Sequence, residues 1–313
     1  MNAVASITPL RLQDTVEMSR VNHRLVLGVE WIDAPMQLPA GGDWVSDLER
    51  IGPREHRQRF DLHPRSRHAL RNAGRLAKVL IRAAADKTTA EAAVAPLPLE
   101  VAADPTNFVL RAFARRDPRI SDYSIDNDPR RYVPRRLSLT PVQSGGVPPS
   151  SIDNIRQAWL WPGSAYPLAA NTTVIRGHVR RGATPVSVPW VRVVVTRTGV
   201  TPATFHTAPK LAWAHGDDRG EFLIMLGADA VPGGAILPAT LSLSVWIFLP
   251  PTGIFDARDP LASLPLELAG TDAINDVLRG TAMPANYVQQ PPIDVTLAPG
   301  SVFVMDEATL LFP

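Results

Sequence analysis

The chain has 313 residues, 45% hydrophobic and 20% charged, which is enough to bury a core in two ordinary domains and too apolar for disorder throughout. A formal net charge of +2 argues for neither a polyanionic partner nor a membrane surface, and the lack of cysteine excludes disulfides, thiolate zinc sites and cysteine nucleophiles. The 31 prolines exclude an all-helical protein, because proline offers no N–H to a helix or to a central sheet ladder and so favours short strands joined by stiff loops.

Residues 1–20 form an arm without periodicity. They hold no basic stretch followed by an apolar core and so do not read as a secretory signal, which makes synthesis in the cytoplasm the expectation. No run of about 18 apolar residues occurs, so no membrane-spanning helix is expected. The first predicted strand is 24–32, ending at Asp33, Ala34 and Pro35. Residues 39–61 are polar, with loops marked by Gly41, Gly42, Gly52 and Pro53. The segment 66–85 supports helix through its alanines and long side chains, or strand after Gly74; a strand over 75–83 is preferred. Strands at 97–101, 107–113 and 131–139 complete a basic domain spanning 21–142. Gly145, Gly146, Pro148 and Pro149 mark 143–157 as a linker.

A second domain, 158–313, opens on Trp159, Trp161, Pro162, Tyr166 and Pro167, read as an aromatic clasp. The strand 241–248 places Leu241, Leu243, Val245 and Ile247 on one face. An excursion, 250–292, holds one helix at 272–279 capped by Thr271. The strand 293–297 returns to the sheet, and the tail 301–313 is apolar enough to require docking. The predicted fold is therefore all-β: two β-sandwich domains with long Pro-rich loops and one short helical insertion.

Between Val174 and Phe248 the order is Gly177-His178-Val179, a Pro-containing turn, an apolar strand at 191–195, and Asp217-Asp218-Arg219-Gly220-Glu221-Phe222. That order resembles the carboxypeptidase regulatory-like family, small sandwiches of transthyretin-like or CnaB-like type related in plan to Ig-like domains. The resemblance implies a structural or binding appendage and carries over no zinc and no catalytic residues. The Trp-Pro, Tyr-Pro, Gly-x-Val and Asp-x-x-Gly-x-Phe combination is also similar to accessory proteins of contractile phage-tail-like injection particles.

Little in the sequence points to catalysis. His56, His63 and His68 match no zinc spacing, and His178, His206 and His215 read as surface or satisfied side chains. Asp122, Ser124, Asp126 and Asp128 alternate like calcium ligands but lack the glycine and closing glutamate of an EF-hand. Asp217 to Gly220 reads as a hairpin turn, and no Gly-x-Ser-x-Gly, phosphate-binding loop or dinucleotide fingerprint occurs. No enzyme activity and no cofactor are expected.

The charge is bipolar. Residues 1–181 hold 26 Lys and Arg against 18 Asp and Glu, net +8, and residues 182–313 hold 6 against 12, net −6. Nucleic acid is not the expected partner, because aromatics interleaved with the basic residues are scarce. Protein subunits are. The expected docking residues are Arg65, Arg71, Arg75, Arg130, Arg131, Arg135 and Arg136, with Val302, Phe303, Val304, Leu310, Leu311 and Phe312 of the tail. The predicted function is a non-enzymatic structural or adaptor subunit of an assembly, which a released injection particle would exemplify. The alternative is a secreted or surface recognition module binding carbohydrate or protein through Trp44, Trp159, Trp161, Trp190 and Trp213.

Overall fold

The computed structural model describes residues 28–39, 44–48, 58–63, 67–72, 108–114, 116–117, 123–140, 155–230, 238–252 and 259–313, with the strands at 44–48, 58–63 and 67–72 entering through backbone pairing. The strands expected at 75–83 and 97–101, and the glycines and prolines of the linker, lie outside these residues. In chain order the first half supplies β1 (Gly28–Asp33), β2 (Leu38–Pro39), β3 (Trp44–Leu48), β4 (Gln58–His63), β5 (Arg67–Asn72), β6 (Phe108–Ala114), β7 (Arg135–Leu139) and β8 (Ile155–Leu160). Then follow β9 (Thr173–His178), β10 (Arg180–Arg181), β11 (Val186–Ser187), β12 (Arg192–Arg197), β13 (Ala212–His215), β14 (Glu221–Leu226) and β15 (Leu241–Leu249). The last elements are β16 (Leu266–Gly270), the helix α1 (Asp276–Arg279), β17 (Val288–Gln289), β18 (Ile293–Leu297), β19 (Val302–Val304) and β20 (Leu311–Phe312). The fold is all-β, as the proline density requires.

Two sheets build the N-terminal body. In one, β1 pairs antiparallel with β5 and β2 along one edge and parallel with β8 along the other, and β4 extends the sheet past β5. In the other, β16, β7, β6 and β3 lie side by side, β16 parallel to β7. Alternation sends Val29 and Trp31 of β1, Leu110 and Ala112 of β6, Leu137 and Leu139 of β7, and Ala158 and Leu160 of β8 into one shared core.

The C-terminal body has the same plan. The sheet β14-β9-β19, carried on by β11-β10-β20, faces the sheet of β13, β12 and β15, with β17 and β18 on the far side of β15. Ile175, Val193, Val195, Phe222 and Ile224 meet Leu241, Leu243, Val245 and Ile247 between them, so the predicted face of β15 is the one turned to this core. Trp246 and Phe248 on the opposite face of β15 close a second cluster with Val194 and Phe205.

Several elements depart from the sequence reading. The polar region 39–61 carries β3 and β4, ordered by hydrogen bonds to β6 and β5 that no local pattern reveals. Strand β7 begins at Arg135, after Pro134, rather than at residue 131. Helix α1 begins at Asp276 because Asn275, not Thr271, caps it: its side chain accepts from the Leu278 N–H at 2.8 Å, and Gly280 ends the helix at φ 72°.

The two bodies do not divide at 143–157. Strand β8 belongs to the N-terminal sheet, and the excursion 250–292 returns β16 and α1 to that same body. A third cluster, of Phe113 and Val133 from the first half with Trp190, Leu261 and Leu264 from the second, fuses the bodies directly. The excursion is thus divided: β16 and α1 complete the N-terminal fold, and β17 returns to the C-terminal sheet.

Candidate functional site

Where the bodies meet, charge is buried. Residues 135, 137 and 139 of β7 face inward, so Arg135 enters the core with the leucines and is fully buried. Glu267 stands beside Leu137 on the neighbouring strand and takes Arg135 through Oε2 at 2.6 Å. Nε of Arg135 also donates to Glu267 Oε1 at 3.4 Å, Nη2 to the Val277 carbonyl, and Nη1 to the carbonyls of Trp159 at 2.7 Å and Leu278 at 2.6 Å, the last at the end of α1 where the helix dipole favours a cation. Arg192, from β12 of the other body, donates to Glu267 Oε1 at 3.2 Å. One buried carboxylate therefore joins two buried guanidiniums from opposite bodies. His215 closes the junction, sharing a hydrogen bond with the Gly280 carbonyl at 2.8 Å and lying 5.5 Å from the Trp161 ring centroid. Burial, then Arg192 and Arg135, hold its pKa well below the usual histidine range, so it is neutral. A Cβ on Gly280 would stand 2.6 Å from Trp161 Nε1 and 2.8 Å from the His215 ring, so only glycine admits this contact.

A second cluster joins loop 123–130 to the turn after β13. Asp217 accepts the N–H groups of Arg219 and Glu221, both at 2.9 Å, and Gly220 sits at φ 76° with Val188 and Val179 carbonyls within 2.8 Å of where a Cβ would stand. The predicted turn is present, but it carries the chain from β13 in one sheet to β14 in the other and is not a hairpin. Asp128, Asp217 and Asp218 are all buried here, with the Tyr123 hydroxyl and Arg130 between them. Of the expected calcium ligands, Asp126 points to solvent and Asp122 lies outside the described residues. No group of three metal-ligating side chains forms among the described residues. Another buried carboxylate, Asp33, receives the hydroxyls of Tyr132 and Tyr166.

Among the described residues of the predicted basic docking face, most guanidiniums are engaged within the chain. Arg135 is internal, Arg130 pairs with Asp217 at 3.4 Å, Arg131 lies over the Tyr132 ring, and Arg136 reaches the Ala262 carbonyl at 3.5 Å. Arg71 is placed opposite Arg59 by the pairing of β5 with β4, and Arg65 and Arg75 lie outside the described residues. The poles of the sequence instead meet each other inside the chain. Arg111 pairs with Asp259 at 2.8 Å, Arg130 with Asp217, Arg135 with Glu267, and Arg180 with Glu307 at 3.0 Å, each joining the basic half to the acidic half.

The tail docks within the chain: β19 runs parallel to β9, and β20 parallel to β10. Alternation divides its side chains. Leu310 and Phe312 enter the C-terminal core with Met305, and Phe303 packs against that core. Val302, Val304 and Leu311 face solvent, Val302 at 53% and Val304 at 69% exposure. The inversion of β16 could not be read from its sequence. Its Leu-Glu-Leu pattern calls for leucines inward, whereas the buried guanidiniums draw Glu267 in and leave Leu266 and Leu268 outward at 41% and 68% exposure. The signal for Glu267 lay in β7, where strict alternation commits Arg135 to the core and so demands a counter-ion.

The expected aromatic tools are largely consumed by packing. Trp190 and Trp161 are buried, Trp213 packs against the Phe205 and Trp246 cluster, Trp159 is half-buried beside Arg279, and only the backbone of Trp44 is described. His178 lies 2.8 Å from Ser187 Oγ through Nε2, a spacing that suits a nucleophile and base. Arg180 donates to Nδ1 at 3.3 Å, however, which leaves the proton on Nε2, so this imidazole donates to the serine and cannot take its proton.

No family model matches the chain, and no curated protein does. Among solved structures it is similar to a 9R-lipoxygenase from Cyanothece PCC8801 at 14% identity and a TM-score of 0.22, covering 46% of this chain and 16% of that one. It is also similar to an (S)-allantoin synthase at 14% identity and a TM-score of 0.19, covering 45% and 41%. The match thus spans less than half the length of either, and likenesses this slight carry no argument about fold or activity.

Proposed function

We propose that the protein is a non-enzymatic structural or adaptor subunit of a larger protein assembly, of which a contractile phage-tail-like injection particle is one example. The observation that carries this reading is the outward aliphatic row on two edge strands, Val302 and Val304 on β19 and Leu266 and Leu268 on β16. An edge strand offers unpaired backbone groups as well as side chains, and aliphatic residues there favour addition of a neighbouring strand. Charged residues would blunt such an edge, and here they are absent from the exposed positions of both strands. The resemblance of 174–248 to the carboxypeptidase regulatory-like module supports an appendage role for the C-terminal body.

The reading is tested by sedimentation and cross-linking of the intact chain, alone and with candidate assembly subunits, at low and high salt. Val302→Lys with Val304→Lys, and separately Leu266→Lys with Leu268→Lys, should abolish association while leaving the melting temperature within about 2 °C, as exposed substitutions do. Association that is unchanged in both double variants, or absent from the unmodified chain with every subunit tried, refutes it.

A further inference from the structure

Tyr123 stands between two carboxylates from opposite bodies, its hydroxyl 3.2 Å from Asp128 Oδ2 and 3.3 Å from Asp218 Oδ2. A phenol has one proton to donate. With both carboxylates ionised, one of them meets a lone pair of the hydroxyl. With a proton on one, that carboxyl donates to the phenol oxygen, the phenol donates to the other, and a continuous chain of hydrogen bonds crosses the seam.

The other charged groups facing this point do not compensate three carboxylates. From the loop, Arg130 reaches Asp217 at 3.4 Å and Asp218 at 3.7 Å. From the turn and the start of β14, Arg219 is turned to Glu221 at 2.8 Å and is 3.8 Å from Asp217. Asp218 Oδ1, fully buried, receives no hydrogen bond. Arg130 thus divides itself between Asp217 and Asp218, Arg219 is spent mainly on Glu221, and Asp128 accepts the Arg130 backbone N–H at 2.8 Å.

We propose that a proton on the Asp128–Tyr123–Asp218 chain latches loop 123–130 onto turn 217–221, so that the seam between the two bodies closes in mildly acidic solution and loosens in mildly alkaline solution. The local environment agrees with the geometry. Burial, with Asp218 adjacent, pushes the Asp217 carboxyl up to about 7, and burial pushes Asp128 up to about 6. Both values lie above those of the same groups in an open seam, so the closed seam binds more protons. Its stability is complete below the ordinary carboxylate range and is lost as pH rises through about 6 to 7. The device is independent of the assembly reading.

Hydrogen exchange in the intact chain tests it, with protection at the amides of 123–130 and 217–221 corrected for the intrinsic rate and followed from about pH 5.5 to 8.5. Release of one to two protons predicts a fall in protection of about tenfold or more between pH 6 and 8, with no matching fall in β12 and β15. Asp128→Asn should raise protection on the alkaline side and leave only the part of the fall that Asp217 sets, since its amide N–H replaces the carboxyl proton toward Tyr123. Tyr123→Phe should bring the acid-side protection down to the alkaline level. Protection that does not change with pH in the unmodified chain, that falls equally in β12 and β15, or that follows the unmodified profile in Asp128→Asn overturns the proposal.

Discussion

Glu267 is the residue on which most depends. It is the counter-ion to Arg135 from one body and Arg192 from the other, and all three side chains are buried. Desolvating three charges makes such a network a poor source of net stability, yet removing one member leaves the others uncompensated. Glu267→Gln keeps the shape and removes the charge, and it is expected to cost about 3–5 kcal/mol. Leu268→Gln, one position along and exposed, should stay within about 0.5 kcal/mol. Urea denaturation distinguishes them through the midpoint at constant slope. Equal, small losses in both would show that the junction is not held by charge. The sequence displayed Arg135 and Arg136 as a basic pair, and period-two alternation alone tells that one of any such pair turns inward. What it could not display was Glu267 as the partner, because 132 positions separate them and β16 carries the wrong apolar pattern for its role.

At the level of elements, the tail is the clearest case. Its composition demanded docking, and alternation settles which half is spent: Met305, Leu310 and Phe312 go to the core, while Val302, Val304 and Leu311 stay outside. Each buried apolar side chain is worth roughly 1.5 to 3 kcal/mol, so a chain ending at Gly300 should lose several kcal/mol as well as the edge strands β19 and β20. The comparison with Val302→Lys and Val304→Lys separates the two duties. Truncation should lower both the melting temperature and association, whereas the lysine variants should lower association alone. A truncated chain as stable as the intact one would mean that the pairing of β19 with β9 contributes nothing. The strand β15 was legible for the opposite reason: Leu241, Leu243, Val245 and Ile247 recur at every second position and needed no distant partner to declare one core-facing side, although Trp246 and Phe248 bury the other side as well.

At the scale of the whole molecule, the two bodies share strands and a buried cluster. Strand β8, strand β16 and α1 complete the N-terminal body from sequence beyond the predicted linker, and the cluster around Trp190 is drawn from both halves. Unfolding of the intact chain is therefore expected to be a single transition in which the calorimetric and van't Hoff enthalpies agree. A fragment covering 158–313 should not reach its native fold, since Glu267 and Arg192 would be buried without Arg135 and β16 would have no sheet to join. Two resolved calorimetric transitions, or a stable native fragment, would restore two separable domains. The opposite charge poles belong to the same picture. They read as surfaces for other molecules, and four of their ion pairs, from Arg111–Asp259 to Arg180–Glu307, instead close within the chain.

By itself the sequence determined the class of fold, the buried face of the long strands, the turn at Gly220 and the need of the tail for cover, because each follows from local stereochemistry or a short period of apolar residues. Tertiary structure decided which strands share a sheet, which arginines become internal, why β16 shows its leucines to solvent, and how Asp128, Tyr123 and Asp218 come together. Those outcomes depend on contacts between residues far apart in the chain, where the cost of burying a charge outweighs the preference of any single strand.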